Sequence, residues 1–288
     1  MLLGWAAIGL SPAAAQEAAL STPDAQSLAM GGTTMATLSG SHAIYGNPSA
    51  AVFSRTPSQI SSSYFSQNDY DYYAISGFWR FDNINLAQAG WREFRREKGN
   101  RDMSFDLGYS RRIGDRWAVG AVVRYARFKR PEASADALSV DLSALYSMPL
   151  ANIGTYSALR VGAKIGNLGG YLTASDYTLP MDVTVGAAWD TFLSDAHEVT
   201  LAADAGYYYT PVYVRGFQAS LGAEYNLMQL FQFRTGYHFG QKDAYYPSYA
   251  SLGAGVRFMH LRLDAVYLFA KRSTPLHKTF SISFGLDF

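Results

Sequence analysis

The chain has no cysteine, which rules out disulfides, thiolate metal sites and cysteine nucleophiles. It also lacks a dominant charge: 24 Lys and Arg against 23 Asp and Glu leave a net +1, which argues against a nucleic-acid partner. Past the N-terminus no run of about eighteen apolar residues occurs, so a membrane-spanning helix is excluded and a closed β-barrel is the one spanning option left. No G-x-S-x-G elbow, phosphate-cradling glycine loop or H-E-x-x-H zinc motif is present, and the five histidines (42, 197, 238, 260 and 277) stand in no metal-ligand spacing. These absences point away from an enzyme, and no cofactor or metal is expected.

What the chain has in plenty is Tyr (21), Phe (17) and Gly (26), at near-neutral mean hydropathy. An aromatic-girdled exterior alternating with a polar, glycine-rich interior would give this composition. The last ten residues show the pattern most clearly. Phe280, Ile282, Phe284, Leu286 and Phe288 fall on one face of a strand, and Ser281, Ser283, Gly285 and Asp287 on the other. The same alternation recurs at Phe231, Phe233, Tyr237 and Phe239, at Leu252, Ala254, Val256 and Phe258, and at Leu261, Leu263, Ala265, Tyr267 and Phe269. An Arg or Lys facing lipid at the bilayer midplane costs about 2–4 kcal/mol, so the charged alternates must point inward. A soluble β-sandwich is the competing reading; it would bury the same apolar rows between two sheets.

Period-2 patterning predicts an all-β transmembrane antiparallel barrel of about fourteen strands, at 58–65, 70–81, 83–93, 101–112, 117–130, 137–147, 157–166, 181–192, 198–209, 215–226, 230–240, 248–259, 261–270 and 278–288. Short connections such as Ile113–Arg116, Leu227–Gln229 and Met259–His260 alternate with longer ones, which places the short ones in the periplasm. Upstream, Leu2 to Leu10 followed by Ser11-Pro12-Ala13-Ala14-Ala15 read as a signal peptide over 1–15, with the mature chain starting at Gln16. Residues 16–56 lack alternation. They are expected to fold into the lumen as a hatch built on Met30, Gly31, Gly32, Asn47 and Pro48, the alternative being a disordered periplasmic tail. The barrel would then span 57–288, in the outer membrane of a Gram-negative bacterium.

The inward charges are the candidate site: Asp106, Asp141, Asp182, Asp204, Glu224 and Asp264 against Arg124, Arg160, Lys164, Arg234, Arg257 and Arg262. They suit either ion pairs that hold the hatch or a permeation path. His238 is the one histidine placed inside, where it can join a network with Arg234 and Asp264. Arg92, Arg95, Arg96, Lys98 and Arg101 are read as a basic cluster in an outer loop, a docking point for lipopolysaccharide phosphates or simply a solvated face. Aromatics at Thr210–Tyr213 and Tyr245–Pro247 are expected to point outward.

The pairing of Met30-Gly31-Gly32 with Asn47-Pro48-Ser49 just before the barrel resembles the N-terminal region of the FadL superfamily. Leu107-Gly108-Tyr109-Ser110-Arg111-Arg112, Val119-Gly120, Ser139-Val140-Asp141-Leu142, Ile165-Gly166-Asn167-Leu168-Gly169, Leu179-Pro180 and Gly222-Ala223-Glu224-Tyr225 are similar to its PorV/PorQ branch, found in Bacteroidetes-type bacteria. That resemblance implies about fourteen strands, an N-terminal hatch and a non-enzymatic role as an accessory of type IX secretion or cell-surface attachment. The wider superfamily implies the alternative, a channel for hydrophobic small molecules. The partners implied are outer-membrane lipid, lipopolysaccharide, secretion proteins or a hydrophobic ligand.

Overall fold

The computed structural model describes residues 24–67, 70–96, 100–131, 134–151, 153–172, 178–241 and 246–288. The signal peptide expected over 1–15 and the start at Gln16 lie outside the described residues, as does Lys98. Fourteen antiparallel strands close into one barrel. They are β1 (Ser58–Gln67), β2 (Tyr70–Arg80), β3 (Asn85–Arg96), β4 (Arg101–Ile113), β5 (Trp117–Lys129), β6 (Ser134–Leu150), β7 (Tyr156–Tyr171), β8 (Asp182–Ser194), β9 (His197–Tyr208), β10 (Gly216–Leu227), β11 (Phe231–Phe239), β12 (Tyr249–Phe258), β13 (Leu261–Ala270) and β14 (Thr279–Asp287).

Closure follows from the serine and phenylalanine alternation at the two chain-terminal strands. β1 pairs β14 from Gln59 with Asp287 up to Ser66 with Phe280, which leaves Ser61, Ser63, Ser281 and Ser283 buried inside while Ile60, Phe280, Ile282 and Phe284 stay exposed outside. In water that aromatic exterior would be a large unfavourable surface; against acyl chains it is the favoured one. The rows therefore face lipid and are not sandwiched between sheets. The molecule is an outer-membrane barrel.

Two strands run longer than their alternation predicts. β6 and β7 pair well past the expected 137–147 and 157–166, out to Ala137 opposite Tyr171. What permits this is a bulge between Val140 and Leu142: Asp141 there accepts the backbone N–H of Asn167 at 2.6 Å, and Asn167 adopts a left-handed conformation (φ 56°). A side-chain hydrogen bond thus bridges a register break that hydropathy cannot reveal.

Inside the barrel lie α1 (Ala25–Ala29), capped by the Asp24 carboxylate, and two 3-10 helices, Gly40–Tyr45 and Pro48–Phe53. Almost all of residues 24–52 are buried. Their small side chains meet wall residues in apolar patches: Met30, Ala43, Ala50 and Val52 pack with Phe78, Leu86, Leu145 and Ala202, and Ala25, Leu28 and Ala29 with Phe65, Val266 and Leu268. The interior is therefore polar with apolar seats, rather than uniformly polar.

Candidate functional site

Wall glycines let the hatch backbone lie directly on the sheet. A Cβ at Gly162 would stand 1.9 Å from the Met35 carbonyl oxygen, one at Gly236 2.1 Å from the Gly31 nitrogen, and one at Gly222 2.5 Å from the Met30 oxygen. Gly31 itself has φ +70° and sits against the backbone of Leu221 and Tyr237, a place that admits no other residue without strain.

Around these seats, wall side chains satisfy hatch backbone groups that have no helix or sheet partner. Asp204 accepts the N–H groups of Thr34 and Met35 at 2.7 and 3.1 Å. Arg160 donates to the Ala36 carbonyl at 2.7 Å, and Asn47 donates to the Met35 carbonyl at 2.6 Å and to Ala144 of the wall. Ser251 accepts from Gly31 and donates to Ala29; Gln88 and Ser110 both donate to the Pro48 carbonyl. Tyr45 reaches across to donate to the carbonyls of Ile75 (2.7 Å) and Trp91 (3.1 Å), and Arg92 lies over its ring.

The inward charges gather into clusters. Arg124 binds Asp106, Asp141 (2.9 Å) and the Asn167 amide oxygen (2.8 Å), with Arg92 a further 3.5 Å from Asp106. Arg234, fully buried, bridges Glu224 and Asp264, and Arg262 joins at 3.5 Å. Arg262 also points at Gln26 and Ser61, tying this cluster to α1. Arg160 pairs with Asp190, and Lys164 with Asp182 at 3.6 Å. Arg257 faces inward beside the second cluster, its Nε without a hydrogen-bond partner among the described residues.

Several expectations need correction. His238 does not join Arg234 and Asp264; it hydrogen-bonds Ser220 at 2.9 Å and stacks on Tyr249, because its position on β11 is two pleat repeats nearer the outer rim. It is also not the one interior histidine. His42 is wholly buried in the hatch, with Nδ1 2.5 Å from Ser76 and Nε2 2.5 Å from Ser63, and burial lowers its pKa to about 4. Asp204 pairs with backbone N–H groups instead of a cation. The basic cluster is not a loop: Arg92 and Arg95 lie within β3 and Arg101 opens β4, so alternation splits them, Arg92 inward and Arg95 and Arg101 outward. Tyr246 does not point outward either; it is buried on Tyr208 and donates to the Val214 carbonyl at 2.9 Å. A residue missed altogether is Asp190, which the alternation of Asp182, Thr184 and Ala188 places inside. Among the described residues no group of three or more His, Asp or Glu side chains is arranged to hold a metal ion.

Two spaces flank the hatch. An outer cavity of about 110 Å³ is bounded below by Gly32, Thr34, Met35 and Tyr45 and at its sides by Arg92, Lys164, Tyr208 and Tyr246. On the periplasmic side a recess of about 600 Å³ is bounded by Met30, Thr37, Leu38, Gly40 and Ala50. The hatch lies between them: Gly32, Thr34 and Met35 of its Met30 to Leu38 strap face the outer cavity together with Tyr45 and Gly46, while Met30, Thr37 and Leu38 face the recess.

No family profile matches the chain, and no curated protein matches it. Solved structures do. The toluene transporter TbuX of Ralstonia pickettii superposes with a TM-score of 0.65 at 14% identity, over 93% of this chain and 98% of that one. The Pseudomonas putida toluene transporter TodX gives 0.59 at 14%, over 92% and 96%. A Pseudomonas aeruginosa FadL homologue gives 0.59 at 13%, over 93% and 98%. At these identities the likeness establishes a shared fold: the closed fourteen-strand barrel of FadL-type outer-membrane proteins.

Proposed function

We propose that the protein is a non-enzymatic outer-membrane channel for small hydrophobic or amphipathic molecules, with the Met30–Leu38 strap as its gate. The observation that carries this reading is the pair of spaces on either side of the hatch, both lined by residues of the Met30 to Leu38 strap, inside a barrel whose fold is that of hydrocarbon transporters. The outer cavity sets the substrate scale. An apolar cavity of about 150 Å³ holds one benzene ring, so a space of about 110 Å³ suits a single ring or short chain better than a long acyl chain. Its mixed lining of Tyr208, Tyr246 and Met35 with Arg92 and Lys164 suits a solute with one polar end.

The test uses intact Gram-negative cells, whose saccharide-covered outer leaflet slows hydrophobic solutes. Cells producing the full chain should take up a labelled monoaromatic hydrocarbon faster than cells without it. D204A, which frees the Thr34 and Met35 N–H groups, should raise uptake further. Uptake unaltered by the chain and by D204A would overturn the channel reading.

The accessory role in type IX secretion or surface attachment, implied by the PorV/PorQ resemblance, is the second reading. It draws on Val212 and Tyr213, which are exposed on the outer connection between β9 and β10. Purification from native membranes with stoichiometric secretion-system proteins would favour it.

A further inference from the structure

On the outer wall, facing the membrane rather than the lumen, register places three cations side by side. Arg95 on β3 opposes Arg101 on β4, which opposes Lys129 on β5; Arg127 lies one pleat repeat below Lys129. Like charges directly opposite one another destabilise a sheet. A single buried carboxylate, Glu93, partly offsets this by accepting Arg95 on one oxygen and Arg101 on the other at 2.6 Å. Arg127 has Asp136 at 3.8 Å, and that carboxylate already accepts the Tyr125 hydroxyl at 2.7 Å. Lys129 has no ion-pair partner among the described residues. Among the described residues the patch is thus short of anions, and both Arg95 and Arg101 are held in place with further N–H groups to donate.

Its height on the wall says which anion. The lipid-facing side of β5 begins at Trp117 and runs through Val119 and Val123 to Tyr125. From Trp117 to Arg127 is ten residues of tilted strand, a rise of about 26 Å, close to the ~25 Å apolar band of such barrels. Arg101, Arg127 and Lys129 therefore sit at the outer headgroup level. Directly beneath, Met103, Phe105 and Tyr125 floor a groove of about 690 Å³ that opens onto the lipid-facing wall.

We infer that this groove binds a phosphorylated glycolipid of the outer leaflet, lipopolysaccharide, with a lipid A phosphate against Arg101, Arg127 and Lys129 and an acyl chain along Met103, Phe105 and Tyr125. The guanidinium groups offer the forked N–H geometry that phosphate oxygens accept. A free anion would leave the apolar floor unused. This site is independent of the lumen and of the channel reading.

Native mass spectrometry of the full-length barrel in detergent, titrated with diphosphoryl lipid A, tests it. One lipid should bind per barrel. R101A/R127A/K129A should weaken binding by about tenfold or more, as expected when charge-assisted phosphate contacts are lost, while R272A, on another outer connection, leaves it unchanged. Heat-modifiable gel migration reports whether the triple variant is folded; should it not fold, K129M alone should lose about threefold. Three results would overturn the inference: equal binding by the variants, equal loss in R272A, or displacement of the lipid by millimolar inorganic phosphate.

Discussion

Replacing Gly236 by alanine should loosen the hatch while leaving the barrel intact. The new Cβ would lie 2.1 Å from the Gly31 nitrogen and 2.3 Å from the Met30 carbonyl carbon, where ordinary contact needs about 3.4 Å, so the hatch must lift by more than an ångström. Lifting it stretches the Gly31–Ser251 and Ser251–Ala29 hydrogen bonds, now 3.3 and 2.9 Å. Two hydrogen bonds at about 1 kcal/mol each, plus the lower end of the usual overpacking penalty, give about 3 kcal/mol. The strand itself gains slightly, since alanine suits a strand better than glycine. Hydrogen-exchange mass spectrometry in nanodiscs should show peptides from 24–54 exchanging roughly a hundredfold faster in G236A, with β1–β14 unchanged. G170A is the control, because a Cβ there meets nothing within 4 Å. Unchanged protection of the hatch, or equal loss in G170A, would refute the claim that wall glycines seat it.

Two further outcomes follow from buried charge. R234M strands Glu224 and Asp264 without their shared cation and should destabilise the barrel by about 3–5 kcal/mol; R234M/E224Q, which leaves Asp264 to Arg262, should recover most of it, as read by urea unfolding in lipid vesicles, and a single variant within about 1 kcal/mol of the parent would contradict the pairing. For His42 the folded-state pKa is depressed, from 6.5 to about 4, because burial disfavours the cation. Hatch docking is therefore at full strength above pH 6.5 and weakens as pH falls toward 4, by about 2 kcal/mol at pH 5. Exchange of peptides around residue 42 should show that slope, and H42Q should flatten it.

How far the sequence alone carried can be traced residue by residue. The barrel was legible because lipid on one face and a polar interior on the other impose a period of two, and β14 and β11 to β13 follow it closely, the inward Val266 and Leu268 that seat α1 excepted. That Arg124, Asp106 and Asp141 face inward was legible to the same degree, from parity; that they meet appears only in the register of β4, β5 and β6. What stayed hidden depended on register between strands. That Arg95, Arg101 and Lys129 form a row appears only once β3, β4 and β5 are aligned, and linear proximity misread Arg92 as their neighbour. His42 was hidden for a different reason: its burial comes from the wall wrapped around it, and the hatch has no periodicity to mark an inside.

The strength of hatch attachment bears on how any opening must occur. Hydrogen bonds from the wall reach it at Ala25, Gly31, Thr34, Ala36, Ser41, His42, Tyr45, Pro48, Ser49, Val52 and Ser54. Taking roughly ten such bonds at about 1 kcal/mol each, complete withdrawal costs about 10 kcal/mol, an open fraction near ~10⁻⁷. That is too rare to support solute flux, so a channel built this way must open locally. The strap from Met30 to Leu38 contributes residues to both the outer cavity and the periplasmic recess, so its local movement is the opening on this reading. Between Thr34 and Leu38 its hydrogen bonds to the wall among the described residues are those to Asp204 and Arg160. Releasing those three charge-assisted bonds costs about 4.5 kcal/mol at the lower end of their usual range, an open fraction of about 0.05%. On the channel reading, Asp204 and Arg160 therefore set the gate, and the rest of the hatch is the frame that holds it.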